Sequence, residues 1–210
     1  MTSLQKWGKS VRTTIPVMAG YLVLGAGFGI LLRTRGYGLG WALAMSALIY
    51  AGSMQYVAID LLTGGASLLT TAVTTLLVNA RHLFYGISML ERYRAAGKYA
   101  PYLIFSLTDE TYSLVAARED LTGAECFRIS LLDQLYWVLG TALGSLAGAY
   151  LDFNTTGIDF SLTALFLTVF TEQWLETKDH APALIGLGVS IVCRLLFGAD
   201  SFLLPTMGGM

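Results

Sequence analysis

Long segments without charged residues limit the fold of this chain more than any other feature. Residues 13–32, 36–59 and 61–80 each lack Asp, Glu, Lys and Arg, and about 20 apolar residues suffice to cross a bilayer as a helix. Charged residues make up 13% of the chain, whereas they make up about a quarter of a soluble domain. The sequence therefore predicts an all-α polytopic membrane protein with about six to seven transmembrane helices, forming one transmembrane domain over residues 1–210.

Some of these helices are predicted to be discontinuous or re-entrant. Residues 36–59 contain the run Tyr50-Ala-Gly-Ser-Met-Gln-Tyr56. In an unbroken helix Gln55 points away from the polar face, whereas a break at Gly52 would turn it inward, and the two alternatives are equally supported. Residues 99–108 are apolar but too short to span, and Asp109 and Glu110 follow them. They predict a half-helix, a spanning helix that contains two carboxylates, or an interfacial helix with solvated acids.

Arg81 closes the third uncharged segment and is the most informative single residue. Within the apolar layer an arginine costs roughly 2.5–3.5 kcal/mol to insert, so such a residue usually serves a pathway or a ligand. On one continuous helix, Arg81 and Tyr85 lie on the same face as two threonines, Thr70 and Thr74. An adjacent face carries Thr71, Thr75, Asn79 and His82. This polar seam predicts a cavity.

Glycine spacing predicts close helix packing. Gly140, Gly144 and Gly148 recur every four residues, a pattern typical of helices that approach closely in membranes. Gly20, Gly25, Gly27 and Gly29 in the first segment indicate the same. Residues 118–128 predict a mixed-charge loop. From residue 201 the chain is apolar for only about half a span, so the last helix is expected to be truncated at the C-terminus.

The distribution of basic residues leaves the orientation open. Serial threading places the N-terminal basic cluster (Lys6, Lys9 and Arg12) and the basic connector 92–98 on opposite faces, whereas the positive-inside rule places both in the cytoplasm. A re-entrant piece between residues 36 and 90, or an external N-terminus, would remove the conflict. Both alternatives put the connector 92–98 inside and the acidic loop 152–159 outside.

Several function classes are disfavoured. The net charge is −1 and no basic block is present, so nothing points to nucleic acid. Cys126 and Cys193 are isolated, which predicts neither a metal site nor a disulfide framework, and no cofactor is expected. Ser53 and His82 are the one plausible nucleophile–base pair, for an intramembrane hydrolase, but Ser53 lacks a Gly-x-Ser-x-Gly context. A non-enzyme is therefore predicted. A non-transporting scaffold or accessory subunit, with the polar seam used for interhelical hydrogen bonds, is the alternative to a transporter.

A transporter needs a cation for a carboxylate, acceptors for an ammonium, an apolar pocket and a titratable group. The predicted substrate-binding residues are Arg81, Asn79, Gln55, Ser53 and Tyr50. The predicted proton-coupling residues are Asp109, Glu110 and His82. This set fits a zwitterionic apolar amino acid, although composition alone does not select that substrate.

Three runs together resemble the AzlC-type branched-chain amino acid permease family. They are Tyr50-Ala-Gly-Ser-Met-Gln-Tyr56, Thr74-Thr-Leu-Leu-Val-Asn-Ala-Arg-His-Leu83 and Leu107-Thr-Asp-Glu-Thr111. The resemblance implies the large subunit of a two-component exporter in the bacterial cytoplasmic (inner) membrane, beside a small AzlD-type membrane subunit. It implies proton-driven export of leucine, isoleucine and valine, with methionine as a further candidate. Members of the family usually continue through a full final helix, so a truncated end would affect docking of the partner.

Overall fold

The computed structural model describes residues 2–118, 120–150, 160, 163–164, 167, 170–171, 174–175, 178, 180–198 and 205–206. Every regular element in these ranges is helical, which confirms the predicted all-α class. The chain divides into two compact units, Met1–Asp159 and Phe160–Met210. The loop predicted at 152–159 and most of the chain end predicted to be truncated lie outside the described residues.

The first unit contains eight α-helices and a short 3-10 turn in its described part. The bounds are α1 (Ser3–Thr34), α2 (Leu39–Leu48), α3 (Gly52–Thr63), α4 (Leu68–Val78), α5 (Arg81–Ala95), the turn Gly97–Tyr99, α6 (Ala100–Phe105), α7 (Asp109–Ala116) and α8 (Gly123–Tyr150). In the described part of the second unit, α9 (Ala181–Phe197) has no buried residue and ends at Gly198, whose φ is 76°. Among all described helices, α1 alone is both long and apolar enough to cross a membrane by itself.

The two longest helices, α1 and α8, pack in parallel through glycines. Arg128 Nε donates to Ser10 Oγ at one end (3.4 Å), and Gly148 lies beside Ile30 near the other. A Cβ on Gly140 would lie 2.8 Å from the carbonyl oxygen of Leu22, and one on Gly144 would overlap the backbone of Ala26. The predicted packing of the four-residue stripe is therefore confirmed, with α1 as the partner helix.

The glycines of α1 contribute unequally to this packing. Gly25 and Gly29 face the backbone of α8, where a Cβ on Gly25 would lie 2.9 Å from the carbonyl oxygen of Trp137. Gly20 has no neighbour within 4 Å. Close packing is thus confirmed for Gly25 and Gly29 but wrong for Gly20, because the i, i+4 pair alone lies on the face turned to α8.

The segment 36–59 forms a helical hairpin instead of one continuous helix. Helix α2 ends at Leu48, the backbone reverses at Tyr50 with φ 45°, and α3 begins at Gly52. The two helices then run back alongside each other, because Gln55 Nε2 donates to Ser46 Oγ (3.1 Å). Further along α3, Tyr56 Oη donates to the carbonyl oxygen of Leu24 (2.7 Å), in the C-terminal half of α1. The broken-helix alternative is confirmed, and the break brings Gln55 into the interior.

A second helical hairpin, α6–α7, begins at the opposite end of the α1–α8 pair. Tyr99 stacks near Phe127 (5.1 Å between ring centroids), close to the start of α8, and Tyr102 Oη donates to Gln134 further along (2.7 Å). The helix is interrupted at residues 106–108 and the backbone turns back. Arg118 Nη1, after the end of α7, therefore donates to Thr13 Oγ1 (2.8 Å). The half-helix alternative is confirmed. One continuous spanning helix is wrong, because Thr108 caps a new helix whose first turn holds both acids.

Two further predictions need correction. The polar seam assumed one helix through residues 71–85, but α4 ends at Val78 and α5 begins at Arg81. Because of the turn at Asn79 and Ala80, the side chains of α5 do not continue the helical spacing of those in α4. The mixed-charge loop predicted at 118–128 is shorter, because α8 already begins at Gly123 after a capping interaction between Thr122 and Glu125.

The two basic clusters lie at the same end of the first unit. Arg92 donates to the carbonyl oxygens of Val115 (2.6 Å) and Arg118, and Arg118 in turn contacts Thr13 near the start of α1. Lys9 pairs with Glu125 there as well (3.7 Å). The re-entrant α2–α3 hairpin produces this arrangement, since α1 and the α4–α5 pair then run in opposite directions. Both basic clusters can therefore face the same side of a membrane, as the alternative with a re-entrant piece between residues 36 and 90 expects.

Candidate functional site

The site is built around Arg81, which joins two of the helix breaks. Arg81 is the first residue of α5, directly after the turn at Asn79 and Ala80. Its Nη2 donates to Ser53 Oγ (2.9 Å) in the first turn of α3, and its Nη1 lies 2.5 Å from Asp109 Oδ2 in the first turn of α7. Residues far apart in the chain thus converge where three discontinuous helix pairs meet.

The ion pair between Arg81 and Asp109 leaves binding capacity on both side chains. Arg81 Nε and Asp109 Oδ1 are buried and have no hydrogen-bond partner among the described residues. About a third of each side chain is nevertheless exposed, 32% for Arg81 and 27% for Asp109. A guanidinium has five N–H donors and a carboxylate about four acceptor positions. The pair can therefore bind a further molecule that carries both an anionic and a cationic group.

The helix ends around the pair add positive potential. Helix α3 begins at Gly52 without a side-chain cap, so its first N–H groups are available beside Ser53. Helix α7 begins at Asp109, with Thr108 as its N-cap. The N-terminal end of a helix carries a partial positive charge that favours anions. Together with the guanidinium, these ends form an environment suited to a carboxylate.

An apolar cavity of about 710 Å³ borders the same breaks. The side chains that bring polar atoms to its lining are Tyr50, Asn79, His82, Tyr93 and Arg94, and the remaining wall is largely aliphatic and aromatic. The apolar part includes Ile49, Leu83, Ile87, Leu90, Ile104, Phe105 and Leu107. Arg81 and Asp109 do not line the cavity themselves, but His82, which follows Arg81 in the chain, and Ala51, which immediately precedes α3, do.

Gln55 lies in a separate buried network. Its Nε2 donates to Ser46 Oγ and its Oε1 accepts from Trp137 Nε1 (2.9 Å), while Ser46 Oγ donates to Thr141 (2.9 Å). All four side chains are less than 5% exposed. Both ends of the Gln55 amide are therefore used to attach the α2–α3 hairpin to α8. Its predicted contact with substrate stays a prediction.

The three predicted proton-coupling residues have different surroundings. Asp109 pairs with Arg81, Glu110 Oε2 accepts from Tyr21 Oη (2.7 Å), and His82 Nδ1 lies 3.2 Å from the carbonyl oxygen of Asn79. The hydroxyl of Ser53 accepts from Arg81. Ser53 and His82 thus each bond elsewhere, and the arrangement supplies no nucleophile–base pair. In the part of the chain that the structure describes, no group of three or more His, Cys, Asp or Glu could hold a metal ion.

Sequence reasoning missed one acid, Asp133. Helix α8 begins ten residues before it, and Asp133 is fully buried in that helix. Its Oδ2 accepts from Thr111 Oγ1 (2.8 Å), and its Oδ1 has no partner among the described residues. A signal was present, since Ser130, Asp133, Trp137 and Gly140 share one face at helical spacing.

Comparisons with known proteins agree on one family. The family described as AzlC protein matches residues 16–151. The branched-chain amino acid transport protein AzlC of Bacillus subtilis is 46% identical over 199 residues, which covers 92% of this chain and 78% of that protein. An uncharacterized membrane protein of Helicobacter pylori is 44% identical over 195 residues, 91% of this chain and 86% of that protein. One of Haemophilus influenzae is 42% identical over 203 residues, covering 94% and 83% respectively. No solved structure gives a significant match.

Proposed function

This chain belongs to the AzlC family, and we propose that it is the large subunit of a two-component, proton-driven exporter of branched-chain amino acids. It would act in the bacterial cytoplasmic membrane together with a small AzlD-type subunit and would not be an enzyme. The name of the Bacillus subtilis relative supports the transport of branched-chain amino acids. The direction, the driving ion and the partner are parts of the proposal.

The arrangement of helices supports a transporter. Many transporters bind substrate near the bilayer midplane where discontinuous helices meet. Here α1, α4–α5 and α8 would cross the membrane, while α2–α3 and α6–α7 enter from opposite ends and meet in the middle. Hairpin α2–α3 follows α1, hairpin α6–α7 follows α4–α5, and these two crossing segments run in opposite directions. A crossing segment with its hairpin is thus followed by a second such unit in the inverted orientation. This order is typical of inverted-topology repeats.

The charged pair would bind the backbone of an amino acid. The substrate carboxylate would bind Arg81 and the hydroxyl of Ser53 at the start of α3, and its ammonium would bind Asp109. An arginine suits a carboxylate because its planar fork can make two parallel hydrogen bonds. As the zwitterion enters, Arg81 exchanges the carboxylate of Asp109 for the carboxylate of the substrate. Asp109 exchanges the guanidinium of Arg81 for the ammonium of the substrate. No charge is left buried alone, which would be costly.

The apolar cavity would bind the substrate side chain. Its aliphatic wall suits leucine, isoleucine and valine, since a buried aliphatic side chain contributes roughly 1.5–3 kcal/mol. A polar side chain would lose its hydrogen bonds to water there, which costs about 1–3 kcal/mol on the scale of protein mutations. Tyr50, Asn79 and His82 border the cavity on its polar side. Asp109, Glu110 and His82 stay the candidates for proton coupling.

The observation that carries the proposal is the pair Arg81–Asp109 at the junction of the broken helices, beside the apolar cavity. The test is counterflow of labelled leucine in proteoliposomes, with and without the small subunit, followed by an imposed pH gradient. Leucine should exchange in the complex and accumulate when the gradient is applied. A complex that neither exchanges nor accumulates leucine, isoleucine or valine would contradict the proposal.

A charge-preserving variant separates binding from folding. Arg81→Lys should assemble normally yet lose leucine affinity by roughly 1–3 kcal/mol, because lysine offers a point charge in place of a planar fork. Arg35→Lys is the matched control, since Arg35 is exposed at the end of α1, and it should bind leucine as the wild type does. If Arg81→Ala is stable and binds leucine normally, Arg81 does not bind substrate.

The scaffold alternative is tested by solvent access. In a background with Cys126 and Cys193 replaced by alanine, Asn79→Cys at the cavity should react with a water-soluble thiol reagent, and leucine should protect it. Ser46→Cys, fully buried in the Gln55 network, should stay unreactive. An unreactive Asn79→Cys would favour a packing role for the polar residues.

A further inference from the structure

A continuous chain of hydroxyl groups links two carboxyl groups in the interior of the first unit. Glu110 Oε2 lies 2.7 Å from Tyr21 Oη, which lies 2.7 Å from Thr108 Oγ1. Thr108 Oγ1 lies 3.1 Å from Thr111 Oγ1, which lies 2.8 Å from Asp133 Oδ2. The members come from α1, the end of the α6–α7 hairpin, α7 and α8.

This hydrogen-bonded chain connects Glu110, which is partly accessible to solvent, with Asp133, which is not. Glu110 is half-buried, Thr111 and Asp133 are fully buried, and Tyr21 and Thr108 are 4% and 8% exposed. The described ion pairs join Lys9 to Glu125 and Arg81 to Asp109, and neither involves Asp133. A carboxylate buried without a cation is expensive, so such a group tends to be neutralised by a proton.

The number of protons that this hydrogen-bonded chain needs follows from its contacts. Four oxygen–oxygen contacts of 2.7–3.1 Å need one proton each, whereas the three hydroxyls supply three. With both acids ionised, Tyr21 would donate to Glu110, and Thr108 and Thr111 would donate toward Asp133. The 2.7 Å contact between Tyr21 and Thr108 would then hold two oxygens together with no proton between them; if Thr108 donated to Tyr21 instead, the 3.1 Å contact between Thr108 and Thr111 would lack the proton. A fourth proton, on one of the two carboxyls, completes all four hydrogen bonds.

We propose that Glu110 and Asp133 share one proton through the hydroxyls of Tyr21, Thr108 and Thr111, and that this proton is the one coupled to transport. When Asp133 holds it, Asp133 donates to Thr111, Thr111 to Thr108, Thr108 to Tyr21 and Tyr21 to Glu110. Transfer moves each of these protons one oxygen along, so that Glu110 becomes protonated and Asp133 ionised. One proton crosses the chain in total, and no other group changes charge.

The hydrogen-bonded chain lies beside the Arg81–Asp109 pair without being part of it. Glu110 directly follows Asp109, the partner of Arg81, so the charge of Glu110 changes the electrostatic potential at the site where substrate is proposed to bind. Among the described residues, the titratable groups close enough to interact with the charge of Asp133 are Tyr50, Tyr102 and Glu110. Tyr50 Oη and Asp133 Oδ1 are both buried and without a partner among the described residues. Chains of acids and hydroxyls of this kind carry protons in pumps and transporters.

The inference rests on the proposed function for its coupling role, but the shared proton can be detected without transport. Infrared difference spectroscopy of the purified complex should show the carbonyl band of a protonated carboxylic acid at neutral pH, and Asp133→Asn should remove or shift that band. If the wild type lacks the band, or if Asp133→Asn leaves it unchanged, the shared proton is refuted whatever the substrate is.

Transport measurements test the path itself. Thr111→Val removes the central hydroxyl at nearly constant volume, and Thr111→Ser keeps it as the matched control. Thr111→Val should keep leucine counterflow but lose pH-driven accumulation on the order of tenfold or more, the lower range for loss of a positioned proton-transfer group, while Thr111→Ser should retain both. Accumulation at the wild-type rate by Thr111→Val and Asp133→Asn would overturn the coupling role. Failure of wild-type counterflow would refute the proposed function and leave the infrared result to decide the shared proton.

Discussion

The rings of Tyr50 and Phe105 lie 6.5 Å apart, so the inner end of the α2–α3 hairpin faces the inner end of the α6–α7 hairpin. Tyr50 takes a left-handed backbone conformation, with φ 45°, which costs an L-residue roughly 1–2 kcal/mol. The surrounding packing must compensate for that cost. Its hydroxyl, in contrast, is buried without a hydrogen-bond partner among the described residues.

Tyr50→Phe should therefore leave stability unchanged or raise it by up to about 1 kcal/mol, because it removes an unsatisfied buried polar atom. If the hydroxyl contacts substrate, leucine affinity should fall by about 0.5–1.5 kcal/mol, the net contribution of one hydrogen bond. Thermal-shift titration with leucine measures both quantities. Tyr56→Phe is the control: it loses the bond to Leu24 and should lower stability without changing affinity. Equal affinity in both variants would remove Tyr50 from the site.

Gly144→Ala should destabilise the protein by about 1–3 kcal/mol or prevent assembly, because the new Cβ overlaps the backbone of Ala26. Gly20→Ala adds the same methyl group on the same helix pair at a position with no neighbour within 4 Å. It should be neutral or slightly stabilising, since alanine is the better helix former. Unfolding of the two purified variants in detergent compares them directly. Equal stability of both would show that α1 and α8 are not in close backbone contact.

The re-entrant hairpin makes a topological prediction that serial threading does not share. With α2–α3 re-entrant, Arg35 at the end of α1 and Thr63 at the end of α3 should lie on the same side of the membrane, the periplasmic one. In the cysteine-free background, Arg35→Cys and Thr63→Cys should both react with an impermeant thiol reagent added to intact cells. A reporter fused after Arg94 should read cytoplasmic. Labelling of only one of the two cysteines would show that α2–α3 crosses the membrane.

Glu125 links stability to acid pH at the start of α8, before the uncharged part of that helix. The backbone N–H of Thr122 donates to its carboxylate (3.0 Å), and the Thr122 hydroxyl does so as well (2.8 Å), which lowers the pKa of Glu125 below its usual value. A lowered folded-state pKa stabilises the protein above the unfolded-state pKa, and the contribution is lost as the pH falls through the folded-state pKa.

Glu125→Gln should accordingly melt at a lower temperature than the wild type at neutral pH, and the two melting temperatures should converge under acidic conditions. Glutamine keeps the shape of the capping interaction and removes the charge. Melting curves at a series of pH values test this. A constant difference between the two proteins at all pH values would mean that the charge of Glu125 does not contribute.

Local spacing was sufficient to predict some of these features. The contact of Gly140 and Gly144 with another helix follows from a four-residue repeat, which needs only helical periodicity. The inward turn of Gln55 was one of two alternatives, because the glycine and the polar residues around it indicate a break without requiring one. Arg81 was predicted as a central residue from the cost of a cation in an uncharged segment.

Other features depend on contacts between distant residues. An uncharged segment such as 36–59 has the same hydropathy whether it crosses once or doubles back, and the bond between Ser46 and Gln55 distinguishes the two cases. The pairing of Arg81 with Asp109 could not be selected from spacing. Asp133 was missed because a single acid in a long helix shows its burial only through its contact with Thr111.

The backbone contact between Gly144 and Ala26 also limits how the protein can move. In a leucine-rich helix interface, side chains can change rotamer and allow one helix to slide along the other. Here the facing residues at Gly25, Gly29, Gly140 and Gly144 have no side chains to rearrange, and a shift of one residue would bring the larger neighbours of these glycines against the opposite backbone. The pair α1–α8 has a single permitted register. In the proposed transporter, a change between inward-open and outward-open states within the first unit would therefore move the hairpins and the α4–α5 segment against a fixed pair of helices.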